Sequence, residues 1–270
     1  MNRFWFFFFM AAGVAAVGSF AAAPAMGWWF PGASLSPLGA QIDDLFYLIF
    51  VITGVTFIGV MLALGYILWK YGGGARDRGI FTHGSHTLEV VWSIVPAGIL
   101  LFIALYQMDV WARYRVKSLF DPDALAHPVA EVTARQFEWR IRYPAPGKTL
   151  QDTPQPGDLY SVNDLHVPAG KPVVIRLRSE DVLHSFFLPH LRVKQDAVPG
   201  LVIPVWFQCD KVGEHELVCA ELCGWGHYKM RGQITAQRDE DFRNYLEKLS
   251  NTQFDDGVTT AKADLPKTEE

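Results

Sequence analysis

Leu45-Phe-Tyr-Leu-Ile-Phe-Val-Ile-Thr-Gly-Val-Thr-Phe-Ile-Gly-Val-Met-Leu-Ala-Leu-Gly-Tyr-Ile-Leu-Trp69 carries no charged side chain. A helix needs about 20 predominantly apolar residues to cross the hydrocarbon core of a bilayer, and this run is long enough. Its glycines (Gly54, Gly59 and Gly65) suit a spanning helix, where small residues let helices approach closely. A second uncharged run extends from Val90 to Met108, with Pro96 expected to kink it. The spans are therefore placed at 45–69 and 88–110. The loop between them, 70–87, is too short to be a domain, so the two helices form a hairpin. That loop carries Lys70, Arg76 and Arg78 against Asp77, and an excess of Lys and Arg marks the cytoplasmic side. Segment 24–44, with Asp43 and Asp44, then lies outside, as does everything after Met108. In a bacterium this is an inner-membrane protein with its C-terminal part in the periplasm.

Working outward to the N-terminus, residues 1–23 hold Arg3, an apolar run from Phe4 to Met10 and beyond, and Ala21-Ala22-Ala23. This is the pattern of a secretory signal peptide, and cleavage is expected; an uncleaved extra helix is the other reading. Trp28 and Trp29, which follow, suit a membrane–water interface.

Beyond the hairpin the character of the chain changes. Half of the 270 residues are hydrophobic, yet they crowd into the first 110 or so positions, and the remainder reads as a soluble domain. The net charge of −4 and the lack of any Lys/Arg block argue against nucleic acid. Segment 111–237 is the extramembrane domain, and from Pro128 onward its short runs alternate in period two. Its candidate strands are Val129–Tyr143, Lys171–Arg178 (with Val173, Ile175 and Leu177 on one face), His184–Leu188, Leu201–Gln208, Glu214–Val218 and Met230–Ala236. Pro144, Pro146, Gly147, Pro168, Gly170, Pro199 and Gly200 punctuate them. Short strands between turn residues indicate an all-β sandwich or barrel. A short amphipathic helix is expected within 238–250, and the polar tail 251–270 is expected to be disordered.

The chemistry is concentrated in Cys219-Ala-Glu-Leu-Cys223-Gly-Trp-Gly-His227-Tyr-Lys-Met230, with His184 on an earlier candidate strand. Thiolate and thioether are soft donors that favour copper, and imidazole also suits it. A mononuclear blue-copper site needs two His, one Cys and a weak axial Met. This chain has that set plus one more Cys, which could bridge a second metal. Two coppers sharing one electron suit electron transfer rather than bond-making. Three plainer readings compete: a disulfide, a structural zinc site that would leave Met230 unused, or unrelated buried residues. Three cysteines cannot make a full disulfide framework, and Cys209, in an apolar run, reads as core.

At these residues the sequence resembles subunit II of the haem–copper oxidases, with its binuclear CuA centre. The family pattern C-x-E-x-C-G-x-x-H-x-x-M is met without a gap, as is the upstream Asp181-Val-Leu-His184-Ser185. The resemblance implies a cupredoxin-like Greek-key β domain on the helical hairpin. It implies His184, Cys219, Cys223, His227 and Met230 as copper ligands, together with the main-chain carbonyl of Glu221. The Glu221 side chain is implied as a ligand of a Mg/Mn ion shared with subunit I, with Asp196 beside it; carboxylate oxygen is what such hard ions prefer. Glu89, at the start of the second span, is implied as the mouth of a proton path, although a Glu is also favoured at any helix N-terminus. The implied function is to accept electrons from a c-type cytochrome and pass them to haem in subunit I, where oxygen is reduced to water with coupled proton movement. Subunits I and III would be the partners.

Two stretches depart from the family. The usual G-H-Q-W-x-W reads Ala134-Arg135-Gln136-Phe137-Glu138-Trp139, so Phe137 stands where the electron-receiving Trp is expected, with Trp139 as the other aromatic. The residues ahead of Cys219 are His215-Glu-Leu-Val218, and His215 is read as a strand residue. No C-x-x-C-H occurs, so no haem is expected on this chain. Glu180, Asp181, Glu214 and Glu216 could steer a basic donor, or could be an ordinary solvated surface. A quinol oxidase subunit II would share the fold without the copper ligands. A nitrous oxide reductase would need a propeller domain for which there is no room, and a copper carrier would have no use for Glu89 or Glu221.

Overall fold

The computed structural model describes residues 2–28, 32–71, 81 and 83–255. The chain forms two compact units, one from Met1–Gly32 and Gln41–Ala112, the other from Ala33–Ala40 and Arg113–Glu270.

The first unit is helical. Helices α1 (Asn2–Ala22), α2 (Pro37–Tyr71) and α3 (His86–Arg115) are each long and apolar enough to cross a membrane. The sequence reading assigned the first to a leader and the other two to the anchor. α1 lies antiparallel along α2: Phe6 meets Trp69 at 5.1 Å and Phe20 meets Phe50 at 5.9 Å between ring centroids. Gly65 permits this approach, because a Cβ there would lie 2.8 Å from the Met10 sulfur. Both α2 and α3 outrun the uncharged stretches that foretold them. Helical hydrogen bonding does not stop at the first polar residue, and the true starts are set by Ser36 ahead of Pro37 and by Ser85, whose hydroxyl accepts from the Leu88 N–H at 3.4 Å. Of the loop charges behind the cytoplasmic assignment, Arg76, Asp77 and Arg78 lie outside the described residues.

The second unit is a β-sandwich. After the short α4 (Pro122–Ala126) come β1 (Ala130–Arg135), β2 (Glu138–Tyr143), β3 (Leu159–Val162), β4 (Asp164–Pro168), β5 (Pro172–Ser179), β6 (His184–Leu188), β7 (Val193–Ala197), β8 (Ile203–Gln208), β9 (Gly213–Cys219) and β10 (Arg231–Gln237), then α5 (Asp239–Asp255). They make two five-stranded sheets, β3-β2-β1-β5-β8 and β4-β10-β9-β6-β7. The β1–β5 and β4–β10 pairs are parallel. Alternating inward residues fill the space between the sheets: Trp139, Ile141, Ile175, Leu177, Phe186, Leu188, Leu217 and Ile234 are all buried, as period-two patterning requires.

The expected single strand Val129–Tyr143 is in fact a hairpin. Arg135 pairs with Glu138, and the chain turns through Gln136-Phe137. Neither residue is a turn former; distant groups hold the turn instead. The Gln136 N–H donates to Asp181 at 2.7 Å, and the Gln136 side-chain amide donates to the Cys223 carbonyl at 2.6 Å. The strands β3, β4 and β7 have no bounds in the sequence reading. The helix expected to end at 250 continues to Asp255, because Gln253 binds the β3 edge: its amide oxygen accepts from the Tyr160 N–H at 2.8 Å, and its NH2 donates to the Asp158 carbonyl at 3.1 Å. The rest of the tail, 256–270, lies outside the described residues.

Candidate metal centre

Adjacent strands of one sheet and the loop between two of them build the site. β6 begins with His184, β9 ends with Cys219, and Phe186 of β6 pairs with Cys219. The loop 220–230 leaves β9 and re-enters as β10, pinned by the Ala220 N–H on the Ser185 carbonyl (3.0 Å) and the Cys219 N–H on the Met230 carbonyl (3.1 Å). Sheet pairing thus brings His184 to residues far along the chain.

The donor atoms converge. Cys219 Sγ and Cys223 Sγ stand 3.9 Å apart, nearly twice the roughly 2.05 Å of a disulfide bond, and both thiols are free. His184 Nδ1 is 3.9 Å from Cys219 Sγ, and His227 Nδ1 is 3.7 Å from Cys223 Sγ. Met230 Sδ lies 3.8 Å from Cys223 Sγ, and the Glu221 carbonyl oxygen lies 3.2 Å from Cys219 Sγ. The ligand atoms of His184, Cys219 and Cys223 all fall within 4.8 Å of one another. His184, Cys223 and Met230 are buried.

The His184 ring is fixed by its other nitrogen. Nε2 hydrogen-bonds Asp181 Oδ1 at 2.8 Å, which makes Nε2 the protonated nitrogen and leaves Nδ1 as a lone-pair donor facing the sulfurs. Burial works against an ionised Asp181, but hydrogen bonds from His184 and from the Gln136 and Val182 N–H groups hold its carboxyl below the usual range. Burial likewise opposes ionisation of both thiols. At Cys219 the imidazole of His184 and nearby peptide groups overcome it and lower the thiol pKa. At Cys223 burial and the neighbouring Cys219 anion push it up. Two soft sulfurs, two imidazole nitrogens, a thioether and a carbonyl oxygen are a donor set that fits copper and overfills a zinc site.

Other expected site residues fall elsewhere. Trp139 is fully buried, with its ring 6.3 Å from His184 and 5.7 Å from Phe186. It lies beside the imidazole and is shielded from solvent. Asp181, expected as a docking acid, is engaged by three hydrogen-bond donors and positions His184. Glu180 is exposed. Asp196, on β7, faces Ser185 in register and pairs with Lys194 at 2.9 Å. Glu89 lies in the first turn of α3, in the other unit. Cys209 is buried core. His215 lies on β9, four residues before Cys219, its ring 5.2 Å from that of His190. Gln136, the turn residue that grips the Cys223 carbonyl, was not foreseen, since no local pattern marks a contact made by folding.

Two family descriptions match the chain: "Cytochrome C oxidase subunit II, periplasmic domain" over residues 142–237 and "Cytochrome C oxidase subunit II, transmembrane domain" over residues 23–110. The alternative cytochrome c oxidase subunit 2 of Bradyrhizobium diazoefficiens is 30% identical, over 82% of this chain and 83% of that protein. The chain belongs to the cytochrome c oxidase subunit II family. The Schizosaccharomyces pombe cytochrome c oxidase subunit 2 is 31% identical over 81% of this chain and 92% of its own length. A quinol oxidase subunit 2 from Bacillus subtilis is 28% identical over 80% of this chain and 64% of its own, so overall identity does not separate oxidases with different electron donors.

Proposed function

We propose that this subunit II takes electrons one at a time from a c-type cytochrome and passes them to haem in subunit I, where oxygen is reduced to water with coupled proton movement. The observation that carries this reading is the convergence of two thiols, two imidazoles, a thioether and a main-chain carbonyl at one end of the sandwich. Held by Cys219, Cys223, His184, His227, Met230 and the Glu221 carbonyl, a pair of copper ions would supply a one-electron relay. The protein's part is to fix those donors. Asp181 sets the His184 tautomer, Gln136 anchors the Cys223 peptide, and the two strand-to-loop hydrogen bonds keep the loop from rearranging. A buried, prearranged donor set leaves little to move when charge changes. The full ligand set speaks against a quinol-fed subunit, which would not need it.

Further assignments rest on the same reading. The Glu221 carboxylate, with Asp196 near it, would hold a Mg or Mn ion shared with subunit I; the link Asp196–Ser185–Ala220 across β7, β6 and the loop supports this. Glu89, a carboxylate at the head of an apolar helix, would open a proton path into subunit I. The helices would sit in the inner membrane beside subunits I and III, with the β domain in the periplasm. Metal analysis of the subunit within its purified complex is the test. Two coppers per chain are expected, with fewer in Cys219→Ser and in Cys223→Ser; zinc, or a single copper, would overturn the reading.

A further inference from the structure

The loop that carries the thiols also carries an exposed apolar surface. Leu222 is 76% exposed, Trp225 78% and Tyr228 69%, whereas Trp139, Tyr143, Phe186 and Phe207 of the strands are buried. Exposed apolar groups clustered on one loop mark a contact surface rather than a solvated one, and Trp is the residue most enriched where truncation costs binding. Trp225 lies between two donor residues, Cys223 and His227, two positions from each. Its ring meets Phe137 edge-on at 5.3 Å and 66°. Beneath it the loop is bare: a Cβ on Gly226 would come within 2.6 Å of the Phe137 ring, and one on Gly224, at φ +134°, within 2.8 Å of Gln136 Nε2. The two glycines let the loop lie down on Phe137, which leaves the indole between them facing outward. The Lys229 ammonium stands 5.5 Å from the centroids of both Trp225 and Tyr228, a cation–π arrangement that ties the two rings together.

The geometry points to Trp225 as the residue that the electron donor touches and through which its electron reaches the ligand loop, with Phe137 as the floor that positions it. This rests on the reading under Proposed function and names the contact within it. The occupant is a c-type cytochrome presenting the exposed edge of its haem. The donor loses one electron and the subunit gains it; no bond or proton changes hands at Trp225. Of the three aromatics at this end, Trp139 is buried, Phe137 is half-covered by the loop, and Trp225 has an open face together with the short covalent route to Cys223 and His227. At the patch itself Asp181 is spent on His184 and the Lys229 ammonium stands over the aromatic rings. The contact is therefore mainly apolar.

The test uses the whole oxidase complex and a soluble single-haem c-type cytochrome, reduced with ascorbate, as the probe. Three quantities are read: copper per chain, Kd for the oxidised cytochrome, and the second-order rate of electron transfer followed by stopped flow. Trp225→Ala should keep its copper, weaken Kd and slow electron transfer by about tenfold or more, as loss of a buried aromatic anchor does. Trp225→Phe should recover a good part of both. Kd should change less than about threefold between low and physiological salt, the behaviour of an apolar contact rather than a charged one. If Trp225→Ala retains copper and transfers electrons within about twofold of the unaltered protein, Trp225 is not the contact. Absence of copper from the unaltered complex would instead remove the reading beneath it.

Discussion

The Nε2–H of His184 donates to Oδ1 of Asp181 at 2.8 Å, while Nδ1 of the same ring stands 3.9 Å from the sulfur of Cys219. One imidazole thus joins a carboxylate to the donor cluster, and the carboxylate decides which nitrogen is free. Removing it should loosen the ring without unfolding the domain. Asp181→Ala is expected to weaken copper retention by about 10–100-fold, the usual cost of losing such a partner. Asp181→Asn, which can still accept from Nε2, should lose less. Competition with a copper chelator measures both; equal retention in all three proteins would remove Asp181 from the positioning role.

Arg142 is a buried guanidinium on β2 with two carboxylates around it, Glu131 at 3.1 Å and Asp158 at 2.8 Å, all three side chains shielded from water. It also donates to the carbonyls of Gln151 and Thr153, and so ties the long β2–β3 connection to the sheet. Breaking a buried charge group by deleting one member strands the others. Arg142→Ala should therefore cost about 3–5 kcal/mol of domain stability. Arg142→Met paired with Glu131→Gln and Asp158→Asn should recover a substantial part. Denaturant unfolding followed by circular dichroism of the β domain would report this, and a loss under about 1 kcal/mol for Arg142→Ala would contradict it.

Burial pushes the His215 imidazole below its ordinary pKa, and the neighbouring His190 lowers it further. Its folded value therefore lies under the unfolded value of about 6.5. Protons then bind the unfolded chain in preference, so His215 leaves stability intact above about pH 6.5 and reduces it as pH falls through that value toward the folded pKa. His215→Gln should flatten this part of the stability–pH curve, leaving the region above pH 7 nearly unchanged. Thermal unfolding of both proteins between pH 5 and pH 8 decides the matter; parallel curves would show that His215 does not contribute.

Much of this architecture could be read from residue order alone, and what could not has a common cause. Charge-free runs foretold α2 and α3 because a bilayer imposes length and polarity together. The face Val173, Ile175 and Leu177 foretold β5 because its register is local. The expected ligands could be named, as expectations, because a family pattern marks each of them. The turn at Gln136-Phe137 escaped, since its stability comes from Asp181 and Cys223, which are remote in sequence. So did the last turn of α5, held by Gln253 on the β3 edge. Trp139 is buried because it faces inward from β2, and Trp225 is exposed because it stands on the loop between β9 and β10; composition says nothing of that. Sequence patterns report local geometry and donor chemistry; they do not report which group supports another across the fold.

Gly226 and Phe137 show such support directly, because the ring fills the space where a side chain on residue 226 would begin, 2.6 Å from its would-be Cβ. An alanine there must displace the ring or lift the loop that holds Cys223 and His227. Overpacking of this kind costs about 1–3 kcal/mol, so Gly226→Ala should lower the stability of the domain and its hold on copper together. Phe137→Ala removes the obstacle. The double variant should then lose less than the two single losses added, with a coupling of about 0.5–3 kcal/mol expected for groups in contact. Unfolding and chelator competition on the four proteins complete the cycle. Strict additivity would mean that the loop does not rest on Phe137, and the outward pose of Trp225 would need another cause.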